Sequence, residues 1–247
     1  MATFVLVHGA WHGAWCWELL TPLLEREGHR VIAPDLPGMG DDPTPLDQVS
    51  IEGWARFVAN IVRAQPEPVI LAGHSRGGIV ISRAAELAHP NLLGLVYIAA
   101  FMVGDGQTLE EVMRQIPPRA ESANSLEISA DGRFSKIAPD AVERVFYNSS
   151  PPDLVVRART LAGPEPMASF VTPLRIGEEG WGSVPRFYIE CAQDRAIAPE
   201  LQRLMQAALP CRRTIIMSTD HSPFYSGPAD LAGHLHSLAE ELAGVRV

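Results

Sequence analysis

Several features are scarce in this sequence, and each scarcity excludes something. Three cysteines, Cys16, Cys191 and Cys211, stand far apart in 247 residues. An odd number at wide spacing is no disulfide framework, and no C-x-x-C pair suggests zinc. No run approaches the ~20 apolar residues that a membrane span needs. The N-terminus, Met1-Ala2-Thr3, has no basic segment and leads into an apolar run at 4–7 that is far too short for a secretory signal. A soluble cytoplasmic protein is expected. Positive charge is also short: 20 Lys and Arg face 29 Asp and Glu, a net charge of −9, with no basic cluster. Such a chain repels phosphate backbones, so nucleic acid and membrane are not expected partners.

What remains is the composition of an ordinary folded enzyme-sized chain. Hydrophobic residues make up 47% and charged residues 20%, which excludes a disordered or fibrous protein. Glycine and proline are plentiful but scattered, without a repeat. The length suits a single α/β domain over residues 1–247.

Short Val- and Ile-rich runs at 4–7, 31–33, 69–72, 95–99, 187–191 and 214–217 lack polar alternation and read as strands buried on both faces. Between them, 17–27, 51–64, 77–88, 200–208 and 230–243 have helical period, mostly bracketed by Gly or Pro. Strands that alternate with helices pair in parallel through right-handed crossovers, giving a parallel sheet with helices on both faces. The alternation breaks across 101–184. There 108–115, 139–148 and 151–161 are helical in period and no strand is convincing, so the segment reads as a helical cap inserted within the domain.

The strongest local signal is Gly73-His74-Ser75-Arg76-Gly77, followed by Gly78. It lies directly after the expected strand at 69–72 and opens a helix, the strand–turn–helix setting of a G-x-S-x-G nucleophile elbow. A serine hydroxyl is a weak nucleophile and needs a base. Of eight histidines, His221 follows the last expected strand, so it leaves the sheet on the same edge as Ser75. Asp194, after the preceding strand, reaches that edge and can hold the tautomer of His221. Asp220 is a poor orienter, because adjacent residues in an extended loop point apart. Asp105 is a substitute acid, and Asp35 suits the Pro37–Gly40 turn better. For the oxyanion, the expected donors are the backbone N–H groups of Arg76 and Ala10, with Gly9 allowing close approach. His8 suits a structural hydrogen bond at a strand end, and His74 points away from the elbow. The Arg76 side chain either meets an anionic substrate group or, as favoured, pairs with a nearby acid such as Asp35. Trp11, His12, Phe101 and Met102 are candidate substrate-binding residues; with Trp15 and the cap they would offer largely apolar walls.

The segment Leu6-Val7-His8-Gly9-Ala10-Trp11-His12-Gly13-Ala14-Trp15-Cys16-Trp17 resembles the opening of the plant methylesterase and hydroxynitrile lyase family of α/β-hydrolases, which has many bacterial relatives. The resemblance recurs at Ala72 to Gly78, at Ala99-Ala100-Phe101-Met102, from Trp181 to Cys191, from Asp194 to Met205 with Gln202-Arg203, and at Asp220-His221-Ser222-Pro223. It is weakest between Val103 and Trp181. It implies the α/β-hydrolase fold with a six-stranded, mostly parallel sheet, a helical cap, and no metal or organic cofactor. Relatives often pair, so it allows a homodimer, although no heptad or apolar stripe argues for one. The lyases of this family place threonine where this chain has Gly9, and lysine after the catalytic histidine where it has Ser222. Serine cannot stabilise departing cyanide as an ammonium does. The resemblance therefore implies the esterase branch, a serine carboxylesterase of methylesterase type acting on a small-molecule ester with a small alcohol and an apolar acyl part. A lactone or thioester hydrolase and a non-catalytic ligand-binding member are the alternatives. The Arg76 side chain departs from the apolar residue usual at that position in the plant members.

Overall fold

The computed structural model describes residues 1–244. Six strands form one sheet: β1 (Thr3–Val7), β2 (Arg30–Ile32), β3 (Val69–His74), β4 (Leu92–Ile98), and, after the cap, β8 (Arg186–Cys191) and β9 (Arg213–Met217). Their order is β2-β1-β3-β4-β8-β9, and every neighbouring pair is parallel. The central strands are apolar throughout; all six residues of β3 are buried, so both faces of the sheet are covered. The outer strands depart from the expectation of two buried faces. In β9 Ile216 faces solvent, and β2 is half-exposed, because an edge strand has a neighbour on one side only.

The helices of the main body are α1 (Leu20–Arg26), α2 (Ile51–Arg63), α3 (Gly77–Ala88), α7 (Pro199–Ala208), the short α8 (Pro223–Ser226) and α9 (Pro228–Gly244). Helix α2 starts where the Ser50 side chain accepts the Gly53 N–H, and its buried stripe runs through Trp54, Ala55, Val58 and Val62. A valine such as Val58 or Val62 taken wholly from water contributes roughly 1.5–3 kcal/mol before entropy is charged against it. The expected helix at 17–27 is broken: a 3₁₀ turn, Ala14–Trp17, precedes α1.

The chain leaves the sheet after β4 and returns at β8. This excursion holds α4 (Leu109–Met113), a π-type turn at Val142–Phe146, α5 (Pro152–Leu161) and α6 (Ala168–Val171). It also holds what the sequence reading missed, an antiparallel sheet in the order β5 (Leu126–Ile128), β6 (Phe134–Ile137), β7 (Glu165–Pro166). The cap is therefore mixed rather than wholly helical. Strands this short leave no readable alternation.

The strand order matters for the site. From β1 the chain first runs outward to β2, then returns to the other side of β1 as β3. Ligands in open α/β sheets bind beyond the carboxyl ends of strands at such a reversal. Val7 and Gly73 are partners across β1 and β3, so the loops that follow, carrying Ala10 and Ser75, begin side by side. Cys191 and Met217 are partners across β8 and β9, which brings the loops of Asp194 and His221 together in the same way.

Candidate active site

Ser75 sits between β3 and α3 with φ of 52°, a left-handed conformation rarely adopted by a residue with a side chain. The turn is held from both sides: Ser75 N–H donates to Ile98 O at 3.3 Å and Ser75 O accepts Phe101 N–H at 3.0 Å. The flanking glycines are steric necessities. A Cβ on Gly73 would lie 2.8 Å from Gly77 O, one on Gly77 would lie 2.8 Å from both Val7 O and His8 O, and one on Gly78 would collide with Phe101 O. The serine thus stands at the positive N-terminal end of α3 with backbone packed tightly round it.

His221 Nδ1 lies 2.7 Å from Asp194 Oδ2, and both side chains are buried. The carboxylate is fully engaged. Oδ1 accepts the N–H groups of Ala196 and Ile197, both at 2.8 Å, and Oδ2 also accepts Gln202 Nε2 at 3.1 Å. A carboxylate accepts, so Nδ1 is the donor of this pair and Nε2 is the ring nitrogen left for another partner. Ser75 and His221 border one cavity. No hydrogen bond joins the Ser75 hydroxyl to the ring among the described residues; such contacts commonly tighten when substrate binds.

The other carboxylates lie elsewhere. Asp220 binds Ser149 N, Ser150 Oγ, Ser222 N and Ser226 Oγ, pinning the His221 loop to the end of the cap's π-type turn without touching the ring. Asp105 accepts Ile176 N–H within the excursion. Asp35 accepts Ala14 N–H at 2.6 Å and Asp41 N–H at 3.2 Å, bracing the loop after β1 and the turn at 37–40 together.

Three further histidines are buried near the site, and burial pushes each towards neutrality. His8 is lowered to about 3 and His12 to about 4, first by desolvation, and His74 well below its ordinary value for the same reason. Their bonds fix their tautomers. His8 Nδ1 faces Gly9 O and Nε2 accepts Leu36 N–H, the structural role expected of it. His74 donates from Nε2 to His221 O at 2.7 Å. That contact was not foreseen; it gives the residue before Ser75 a hold on the backbone of His221.

The backbone N–H groups of Ala10 and Arg76 have no acceptor among the described residues, and both residues border the cavity beside Ser75. Unpaired backbone donors beside a hydroxyl are the kind of group that can hold an oxygen as it gains negative charge. A Cβ on Gly9 would lie 2.9 Å from Ser75 Cβ and from His74 Nδ1, so a larger residue there would force the loop or the elbow to shift.

The cavity measures about 490 Å³ and is largely apolar, walled by Trp11, Phe101, Phe146, Phe170 and Leu201. Two of the four candidate substrate-binding residues, Trp11 and Phe101, lie on it. His12 and Met102 are not among the residues that border it. His12 is tied between Ala10 O and the Tyr147 hydroxyl, both at 2.6 Å, and stacks on Trp15. Met102 is buried, its N–H directed at Met205 Sδ. The Arg76 side chain pairs with an acid as expected, but the acid is Glu165 of β7 rather than Asp35. Nε meets Oε1 at 3.0 Å and Nη2 meets Oε2 at 3.2 Å, while the guanidinium lies 4.2 Å over the Trp54 ring.

Comparison with known proteins agrees with this fold. A model of the alpha/beta hydrolase family matches residues 4–234. Methyl jasmonate esterase 1 of Vitis vinifera is 32% identical, with 96% of each chain covered. Among solved structures, polyneuridine aldehyde esterase superposes with a TM-score of 0.89 at 25% identity, covering 97% of this chain and 99% of that one. A pyrethroid hydrolase from Sphingobium faniae JZ-2 superposes with a TM-score of 0.86 at 28% identity, covering 97% of each chain.

Proposed function

This chain belongs to the alpha/beta hydrolase family, among the methylesterases and their relatives, and is a serine ester hydrolase; we propose that Ser75, His221 and Asp194 carry its chemistry and that it releases a small alcohol from an ester with a bulky apolar acyl part. The observation that carries this is the contact of His221 Nδ1 with Asp194 Oδ2 at 2.7 Å, on a histidine that borders one cavity with Ser75. That partner engages Nδ1 and leaves Nε2 as the ring nitrogen available to a hydroxyl.

The mechanism follows from those atoms. His221 Nε2 takes the hydroxyl proton as Ser75 Oγ bonds to the ester carbonyl carbon. The carbonyl electron pair moves onto oxygen, held by the N–H groups of Ala10 and Arg76. Asp194 offsets the positive charge now on the imidazole. As the tetrahedral species collapses, the C–O bond to the alcohol breaks and His221 gives its proton to the leaving oxygen. Water, activated by the same nitrogen, then cleaves the acyl–Ser75 bond and frees the acid.

The acyl part faces the apolar cavity, whose volume suits a small organic molecule. The methyl leaving group rests on similarity to methylesterases. A lyase reading is disfavoured, because Gly9 offers no hydroxyl to a cyanohydrin and Ser222 is buried and uncharged. Three free cysteines, two of them buried, suit the reducing cytoplasm, where we place the protein. No helix among the described residues is long and apolar enough to cross a membrane.

The test is a substrate panel on one arylalkanoic acid: its methyl, ethyl and tert-butyl esters, its thioester and a related lactone. The methyl ester should have the highest kcat/KM, with a loss of roughly tenfold or more at tert-butyl, since a few methylenes discriminate by that order. Faster turnover of the lactone or thioester would reassign the substrate class.

A further inference from the structure

We infer that Glu165, delivered by the cap's small sheet, is a positioning residue for the oxyanion hole, tying together the two backbone arms that carry the Ala10 and Arg76 N–H donors. The inference rests on the reading of Ser75 as nucleophile.

Glu165 is wholly buried, an expensive place for a carboxylate unless its oxygens are satisfied. Four donors satisfy it, three of them from the two arms. Oε1 accepts Arg76 Nε at 3.0 Å and Ser169 Oγ at 2.8 Å. Oε2 accepts Arg76 Nη2 at 3.2 Å and the backbone N–H of Trp11 at 3.3 Å. Arg76 immediately follows Ser75, and Trp11 immediately follows Ala10. Arg76 Nη2 also donates to Gly9 O at 3.2 Å, closing a loop of contacts through both donor-bearing segments.

Both segments need holding. Ser75 and Trp11 adopt left-handed φ values of 52° and 61°, and a bulky residue keeps such a conformation only when its surroundings impose it. Trp11 is restrained entirely from the excursion: its N–H by Glu165, its Nε1 by Ser135 Oγ at 3.1 Å, and its carbonyl by Gly163 N–H at 2.9 Å. Stability alone is a weak reason for the pair, because a buried ion pair seldom outperforms apolar packing of the same shape. Fixing donors is a better reason, because a displacement of about 1 Å in a catalytic group can cost about a hundredfold in rate.

The test compares the parent enzyme with Glu165→Gln on a p-nitrophenyl ester, measuring kcat, KM, inhibition by an alkylboronic acid that forms a tetrahedral adduct on serine, and inhibition by the product acid. The expected result is a fall of roughly tenfold or more in kcat, an equal loss of boronate affinity, and KM and product inhibition within about threefold of the parent. Should Glu165→Gln not fold, Arg76→Leu/Glu165→Leu removes both charges at once and should show the same paired loss. A folded variant of either kind with parental kcat, or with lower kcat and undiminished boronate binding, overturns the inference. Ser75→Ala separates the two claims: retained turnover there removes the nucleophile reading, whereas parental kcat in the Glu165 variants removes only the positioning role.

Discussion

His74 Nε2 stands 2.7 Å from the carbonyl oxygen of His221, so the residue next to the proposed nucleophile holds the main chain of the proposed base. Their rings lie 4.7 Å apart between centroids. Because the acceptor is a carbonyl, His74 must donate, and its buried neutral form can do so with one nitrogen only. Removing this donor by His74→Phe should lower kcat by about one to two orders of magnitude with a small change in KM, as expected when a catalytic group loses its alignment. Steady-state kinetics on a p-nitrophenyl ester checks this; an unchanged kcat in a folded variant contradicts the positioning.

Asp194→Asn should be more damaging. The amide can present its NH₂ to Nδ1, which would put the ring proton on the wrong nitrogen. Losses near 10⁴ in kcat accompany that exchange in enzymes of this type. The backbone bonds from Ala196 and Ile197 remain available to the side-chain oxygen, so Tm should move little. A variant that keeps a tenth or more of parental kcat would contradict the assignment of Asp194.

Acid should weaken the fold through buried histidines. Folded His8 and His12 are lowered to about 3 and about 4, against an ordinary value of 6.5, chiefly by desolvation. Between those values the unfolded chain binds protons that the folded chain does not, so stability falls as pH falls. The contribution is complete above pH 6.5 and is lost progressively down to about 4 for His12 and about 3 for His8. Each histidine adds a slope of up to about 1.4 kcal/mol per pH unit inside its window. Urea unfolding between pH 7.5 and 4.5 measures it; a midpoint that does not fall below pH 6 contradicts the buried neutral assignment.

Gly9→Ala tests how closely the loop after β1 meets the elbow. The added methyl would lie 2.9 Å from Ser75 Cβ, so either the loop or the serine must shift. A destabilisation of about 1–3 kcal/mol is expected from the overpacking, with a fall in kcat as the Ala10 donor moves. Full activity at parental Tm would show that the approach is looser than described.

Much of this site could be read from the sequence because its elements carry strong local signals. The Val- and Ile-rich run before Gly73 and the glycines after Ser75 mark strand, turn and helix without reference to the rest of the chain. Asp194 and His221 were legible by their places after the last two strands. What was hidden depends on distant partners. Glu165 sits in Gly-Pro-Glu-Pro, a stretch that reads as loop, and meets Arg76 across a separation of 89 residues in the chain. Strand β7 is two residues long, too brief for any period to register. The partners of His12 were equally hidden: in the fold its Nδ1 faces Ala10 O and its Nε2 the Tyr147 hydroxyl.

The most direct measurement is to mix the protein with a fluorophosphonate, digest it and locate the adduct by mass spectrometry, alongside the turnover of Ser75→Ala. One phosphonate on the peptide containing Ser75, blocked by prior acylation, together with loss of ester turnover in Ser75→Ala, is the predicted result. An adduct on another residue, or parental turnover without the Ser75 hydroxyl, would contradict the account.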